Sequence, residues 1–359
     1  MRFAWGVLAA AAVSGTLARG QTLDRRQVER IEQALRQEAD AVIALAEAPA
    51  DDRSDPTDFQ LAWRNDFFKA QAGTFVPFIL DIDARAGRPS AALVYVRVAR
   101  RGSGGGERRD GRRRVAGAEE LHPFDEIYPV DLAAPPGHAV RVIRGFSVAP
   151  GEYDLTIAVR EREEEGDRRR RRKAGMLRRP LSVPDFSGPG LTTSSIILAD
   201  DLVALREPPA PAELTRRPYV MGLREIRPAA DAVFRRSEEL IVVFLVYNPA
   251  ITPDEHFDLE VEYHFFRKSG SGVGGQEGPP GGRPAARPGE TYVNRTEPQR
   301  FNPLALGPEF DPASGQPVMA GQGVPLADFL EGDYRLAIAV KDLVSGRALE
   351  REVTFTVGS

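Results

Sequence analysis

The sequence predicts a mainly β protein, two immunoglobulin-like β-sandwich domains preceded by an N-terminal α-helix, and three observations carry that prediction. Beyond residue 60, apolar side chains recur with a period of two, as half-buried strands require. Glycine and proline number 34 and 29 in 359 residues, which suits a turn-rich fold and argues against an all-helical one. One segment also occurs twice: Gly151-Glu-Tyr-Asp-Leu-Thr-Ile-Ala-Val-Arg-Glu returns as Gly332-Asp-Tyr-Arg-Leu-Ala-Ile-Ala-Val-Lys-Asp, at a spacing that suits a duplicated domain rather than a solenoid.

Residues 1–20 read as a signal peptide. Arg2 supplies the positive start, Phe3 to Val13 is a short apolar run, and Ala18-Arg19-Gly20 presents small residues before a cleavage point at Gln21. The run is short for a bilayer span, and an uncleaved anchor is the alternative. The protein is therefore expected to be exported, to the periplasm or beyond, with no later membrane span. Residues 21–58 are expected to form a helix and a polar linker. Val28, Ile31, Leu35, Val42 and Leu45 recur at helical spacing, Thr22 or Asp24 offers a cap, and Pro49 closes the run. The narrow apolar stripe serves either packing on the adjoining domain or a short dimeric coiled coil.

The first sandwich is expected over 59–186. An aromatic-rich lead, Phe59 to Phe68, runs towards strands in which Val76, Phe78, Leu80 and Ile82, then Val94, Val96 and Val98, then Leu155, Ile157 and Val159 alternate with polar residues. Residues 187–217 are expected as a linker, stiffened by Pro208-Pro-Ala-Pro, with Ile196-Ile-Leu an extra edge strand or a strip packed between domains. The second sandwich is expected over 218–359. There Leu259, Val261, Tyr263 and Phe265, and later Val353, Phe355 and Val357, alternate, while Leu240 to Tyr247 is apolar on both faces, as suits a central strand.

The repeated segment has the pattern of a tyrosine corner. Gly151 and Gly332 permit the sharp entry into the strand. Tyr153 and Tyr334 are expected to pack under the sheet corner with their hydroxyls bonded to upstream backbone, and the alternate residues that follow enter the core. Leu155 and Leu336 stand where antibody domains carry a disulfide cysteine, and the chain has no cysteine at all. On these segments the sequence resembles tandem immunoglobulin-like or fibronectin type III-like domains that fold without disulfides. Trp63-Arg-Asn-Asp-Phe-Phe, Thr74-Phe-Val-Pro-Phe and Ser194-Ser-Ile-Ile-Leu-Ala-Asp-Asp resemble segments of exported bacterial proteins that accompany von Willebrand factor A-related proteins. The A domain itself is missing, since no Asp-x-Ser-x-Ser is present. The resemblance implies no catalytic residues.

Residues 101–118 and 268–290 are glycine-rich insertions with too few apolar residues to order themselves. Arg162 to Arg179, with its basic run Arg168 to Lys173, reads as a protruding charged hairpin. These runs lack interleaved aromatics for base stacking, and the formal net charge is −4, so no nucleic-acid partner is expected. No catalytic, cofactor or metal residues are assigned. The four histidines, His122, His138, His256 and His264, form no ligand pair. Asp254, Glu255, His256 and Asp258 cluster in a loop without the spacing of a calcium site. Gly145-Phe-Ser-Val-Ala lacks the final glycine of a nucleophile elbow. The function expected is non-enzymatic binding or scaffolding in the bacterial cell envelope, with an envelope protein or polysaccharide as partner. The alternative is a carbohydrate-binding module, for which Phe124, Tyr128, Tyr219 and Tyr292 are the aromatic candidates.

Overall fold

The computed structural model describes residues 25–49, 55–84, 91–102, 123–132, 139–162, 170–268, 284–307 and 309–358. The signal peptide, the helix caps and most of the two glycine-rich insertions lie outside these residues. No helix among the described residues is long and apolar enough to cross a membrane. The chain divides into two units, one of Met1–Asn65 and Gln71–Asp185, the other of Asp66–Ala70 and Phe186–Ser359.

In the first unit, α1 (Arg25–Glu47) precedes β1 (Phe59–Asn65). A two-residue strand, β2 (Phe68–Lys69), falls within the segment grouped with the second unit. There follow β3 (Thr74–Ala84), β4 (Ala91–Arg100), β5 (Phe124–Asp131), β6 (Val140–Val148), β7 (Gly151–Glu161) and β8 (Ala174–Val183). Strand β3 lies between β1 and β6 in one sheet, and the other runs β5-β4-β7-β8. The inward residues of each strand, Phe78 and Leu80, Val94 and Val96, Leu155 and Ile157, are buried. Each buried side chain of this size stabilises by roughly 1.5–3 kcal/mol.

The aromatic lead into the first sandwich is itself a strand. Phe59 and Trp63 are buried, and the Trp63 ring stacks on Phe78 at 4.3 Å. The polar stretch before it, expected as linker, also pairs in part. Met176 N donates to the Pro56 carbonyl at 3.1 Å, and Asp58 N to the Ala174 carbonyl at 2.9 Å. Gly175 makes this possible, because a Cβ there would meet Phe59 Cβ at 2.8 Å and its carbonyl oxygen at 2.9 Å.

Helix α1 spends its apolar stripe on this sandwich. Val42 and Ala46 pack on Leu93, Tyr95 and Ala158, the outward face of the β4–β7 pair. Three arginines hold it: Arg97 reaches Glu47 at 3.2 Å, Arg162 reaches Glu38 at 2.9 Å, and Arg178 donates to the Ala48 carbonyl at 2.8 Å. The basic run differs from the free hairpin expected. Among its described residues, Arg170 pairs with buried Glu161, Arg171 with Asp58 at 3.0 Å, and residues from Ala174 onward form β8. Packing of the adjoining strands leaves the Glu161 and Asp58 carboxylates there, and these guanidinium groups pair with them.

The second unit contains β9 (Thr192–Thr193), β10 (Ile197–Ala204), the short helix α2 (Pro211–Leu214), β11 (Val220–Met221), β12 (Arg224–Pro228), β13 (Val233–Arg235), β14 (Glu239–Tyr247) and β15 (Leu259–Lys268). After these come β16 (Glu290–Arg295), β17 (Gln299–Phe301), the short helix α3 (Pro303–Leu306), β18 (Val318–Pro325), β19 (Gly332–Asp342) and β20 (Ala348–Gly358). One sheet runs β11-β12-β10-β14-β18, with β9 also on β14. The other runs β13-β20-β19-β15-β16, with β17 on β15. Between them lies a core that includes Leu240, Phe244, Tyr263, Phe265, Leu336 and Phe355.

The stretch 187–217, expected as a linker with an edge strand, contributes instead to this second unit. Strand β10 is interior, paired to β14 on one side and to β12 on the other. A bulge between Ala199 and Asp201 re-aims the strand, which breaks its period of two.

The likeness of the repeated segments extends to pairing register. Val98 faces Leu155 and Val96 faces Ile157 in the first unit; Phe265 faces Leu336 and Tyr263 faces Ile338 in the second. The same register makes Tyr95, opposite Ala158, the counterpart of Glu262, opposite Ala339, and Arg97 the counterpart of His264. The face that is apolar under α1 in the first unit is thus charged in the second. Buried Glu262 meets His264 at 3.3 Å, Arg295 at 3.4 Å and Lys341 at 3.6 Å. Beside it Arg335 grips Glu290 through two bonds of 2.6 and 2.9 Å and lies 4.3 Å over the Phe266 ring. Charges buried this far must be paired and hydrogen-bonded to be tolerated.

Candidate functional site

The residues singled out by the repeat take up corner positions in both units. Gly151 and Gly332 have φ of 145° and 139°, a region that side-chain-bearing residues rarely enter. Tyr153 Oη donates to the Ala149 carbonyl at 2.7 Å, and Tyr334 Oη to the Leu330 carbonyl at 2.5 Å. Both rings are buried, and Tyr334 stacks on Phe355 at 5.2 Å with 15° between the planes. These four residues shape the fold.

Among the described residues, no group of histidine and carboxylate side chains is arranged to hold a metal ion. His122 and His138 lie outside the described residues, His264 sits in the charged sheet face, and His256 is on an exposed loop. Ser147, of the elbow-like segment, lies near the end of β6 opposite Phe75, and β7 follows at Gly151, so no strand-to-helix turn presents it. The four aromatic candidates for sugar stacking are not displayed. Tyr219 is buried and bonds Asp66 at 2.8 Å, while Phe124 stacks on Phe146 at 4.5 Å. Tyr128, half-buried, lies under Arg144, and its burial pushes the phenol far up. Tyr292 packs against Phe266 at 5.6 Å.

A cavity does form at one end of the second sandwich. Register fixes which loops meet there. Leu259 at the start of β15 faces both Phe301 and Asp342, and Val246 near the end of β14 faces Val318. The loops 248–258, 302–307 with 309–317, and 343–347 therefore share an end. Ala250 N donates to Asp342 at 2.8 Å, and Leu343 N to the Asp258 carbonyl at 2.8 Å, which ties the loops together.

The cavity measures about 630 Å³ and is lined by residues from the first two of these loops. Phe257 and Phe310, with ring centroids 5.5 Å apart, form its floor together with Ile251 and Pro303. Asp254, Glu255 and Asp311 bring carboxylates to it, and His256 a ring. The 252–256 turn is rigid. Thr252 Oγ1 donates to Asp254 Oδ1 at 2.6 Å, His256 N donates to Thr252 Oγ1 at 3.1 Å, and Glu255 occupies the left-handed region with φ of 59°. The Thr252 hydrogen bond holds the Asp254 carboxyl below its ordinary range. Across the cavity, Ser314 N donates to Asp311 at 3.2 Å, and Asn302 caps α3 through Ala305 N at 2.9 Å. Of the acidic loop residues seen in the sequence, Asp254, Glu255 and His256 line this cavity. Asp258 does not; it is bound by Arg300 at 2.5 Å.

Large apolar side chains are displayed around the same end. Leu304 is 94% exposed, and Ile251 and Leu343 are also exposed. Sequence reasoning did not find Ile251, Leu304, Phe310, Asp311 or Leu343. They stand in irregular loops, where no periodicity marks them; the one available signal was a leucine between prolines and glycines at Pro303-Leu304-Ala-Leu-Gly307.

No protein-family model matches the chain, and no curated protein matches it. Among solved structures, a red sea bream transglutaminase is 12% identical over 84% of this chain and 32% of its own, with a TM-score of 0.21. A Salmonella alpha-2-macroglobulin mutant is 13% identical over 84% of this chain and 25% of its own, with a TM-score of 0.30. A DUF4785 family protein from Legionella pneumophila is 9% identical over 84% and 57%, with a TM-score of 0.22. The chain spans less than two thirds of each of these proteins. Similarities of this size carry no functional argument.

Proposed function

We propose that this is a non-enzymatic binding or scaffolding protein, exported to the bacterial cell envelope, whose second sandwich docks another protein through its 248–258, 302–317 and 343–347 loop end. The observation that carries the reading is the display of Ile251, which lines the cavity, and of Leu304 and Leu343 on loops at the same end of the sandwich. Exposed apolar side chains grouped at one place mark interaction sites on soluble proteins, and sandwich domains commonly bind through their loops. Export rests on Arg2, the Phe3 to Val13 run and Ala18-Arg19-Gly20, and on the resemblance to exported bacterial tandem-sandwich proteins. Carbohydrate binding is the weaker reading, because Phe124, Tyr128, Tyr219 and Tyr292 are buried or half-buried.

The test is a photo-crosslinking residue placed at Leu304, at Leu343 or, as a control, at Leu223, another exposed leucine, in the protein within the envelope of its host. The expected result is one recurrent protein adduct from the first two positions and none from Leu223. Adducts to polysaccharide would favour the carbohydrate reading, and equal labelling from all three positions would overturn a specific docking end.

A further inference from the structure

We infer that the cavity at this loop end receives a lysine or arginine side chain, presented beside an apolar residue by an extended segment of the partner protein. The inference rests on the docking reading above and gives it a ligand chemistry.

Size comes first. About 630 Å³ lies within the range of formed ligand pockets and exceeds one side chain, so it accommodates a long side chain together with its neighbour and backbone. Its walls have two characters. The Phe257, Phe310, Ile251 and Pro303 side are apolar carbon, which suits the methylene stem of a long cationic side chain. Phe310 is half-buried and keeps part of its ring accessible, so a cation can lie against an aromatic face. The opposite side is anionic. Asp254, Glu255 and Asp311 line the cavity, and among its described lining residues the basic side chain is His256.

The carboxylates differ in how far they are committed. Asp254 accepts from Thr252, and Asp311 from Ser314 N, so both are fixed in place by their own loops. The nearby basic residue Arg300 is committed to Asp258 through bonds of 2.5 and 3.3 Å and does not neutralise the cavity. Pre-placed anions over an apolar floor are complementary to arginine or lysine, and fixed carboxylates bind a guanidinium in paired, directional bonds. Ile251, which lines the cavity, and exposed Leu304, next in sequence to the lining residue Pro303, then take the apolar neighbour. A bare calcium or magnesium ion fits less well, since Phe257, Phe310, Ile251 and Pro303 put hydrocarbon into the lining and these ions need oxygen ligands all round.

The probe is a pool of ten-residue peptides of glycine and serine, each with one central Leu-Arg or Leu-Lys pair. Control pools carry Leu-Gln or Leu-Glu at the same place. Binding to the full chain is followed by NMR of the Ile251 and Leu304 methyl groups and by titration calorimetry. The expected result is methyl shifts with the Arg and Lys pools only, weakening as salt rises. The exposed-site variants D254K and E255K should each reduce affinity at least tenfold. Equal response to the Gln pool would overturn the inference, as would methyl shifts absent from all pools, or calcium alone moving both methyls. If L304D abolishes the envelope crosslink while E255K and the Arg pool have no effect, docking at this end stands and the basic-ligand inference falls. If L304D leaves the crosslink unchanged, the docking reading falls first.

Discussion

Replacing Tyr334 by phenylalanine removes one atom and one hydrogen bond, the 2.5 Å donation to the Leu330 carbonyl. The ring keeps its stack on Phe355 at 5.2 Å and its contact with Phe329 at 5.3 Å. The cost is therefore the net worth of one bond, about 1 kcal/mol. Leu330 is itself 59% exposed, which lets water reach the freed carbonyl and keeps the loss at that level. For a domain of this size the melting temperature should fall by roughly 2–4 °C. Tyr334→Ala deletes the ring as well and should cost about 3–5 kcal/mol. Tyr153→Phe, whose hydroxyl bonds the Ala149 carbonyl at 2.7 Å, should cost the same as Tyr334→Phe. The assay is urea denaturation read by circular dichroism, with Trp63 fluorescence following the first sandwich, where that ring is buried. Unchanged midpoints in both phenylalanine variants would refute the reasoning that these tyrosines secure their sheet corners.

Glu290→Gln breaks a buried ion pair and should cost about 2 kcal/mol at neutral pH. Because the Arg335 hydrogen bonds hold the Glu290 carboxyl below its ordinary range, the stabilisation is complete above the unfolded carboxylate pKa. It is lost as pH falls through the lower folded value, so wild type and variant should converge in denaturation midpoint in acid; a gap that widened below pH 4 would contradict this. Gly73→Ala should destabilise the first sandwich by about 1–3 kcal/mol, since φ is 85° and a Cβ would strike the Val148 carbonyl; thermal melting decides it. Val42→Asp puts a charge into the fully buried contact between α1 and the sheet. It should expose α1 to limited proteolysis and cost on the order of 3 kcal/mol, and a protected helix would mean its packing is dispensable.

Much of the fold was legible because it obeys short periods. The segments at Gly151 and Gly332 announced themselves by repetition, and the inward residues of β3, β4, β7, β15 and β19 by alternation. Strand β1 was read only as an aromatic lead because Phe67 and Phe68 crowd its end and blur the period. Strand β10 was read only as an extra edge strand or a packed strip at Ile196-Ile-Leu, because its bulge at Ala199–Asp201 shifts the alternation and two acids follow the apolar run. Prolines argued for a linker there, whereas pairing with β14 dominates the local structure. At the loop end, half of what matters was visible. Asp254, Glu255 and His256 stood out as a charged cluster. Phe310 and Asp311 reach the same cavity from a segment far along the chain, and only the β15–β17 and β14–β18 registers reveal that the two segments meet.

The clamps on α1 also set an order of events. Arg178, which holds the Ala48 carbonyl, lies 130 residues after it, and Arg162 lies 124 residues after Glu38. A chain that emerges N-terminus first presents the helix long before the strands that secure it, and contacts so distant in sequence form slowly. The helix must wait, with its stripe of Leu35, Val42 and Leu45 uncovered, until β7 and β8 complete their sheet. The helix is thus among the elements that settle late, and anything that binds nascent chains meets this amphipathic segment during that interval.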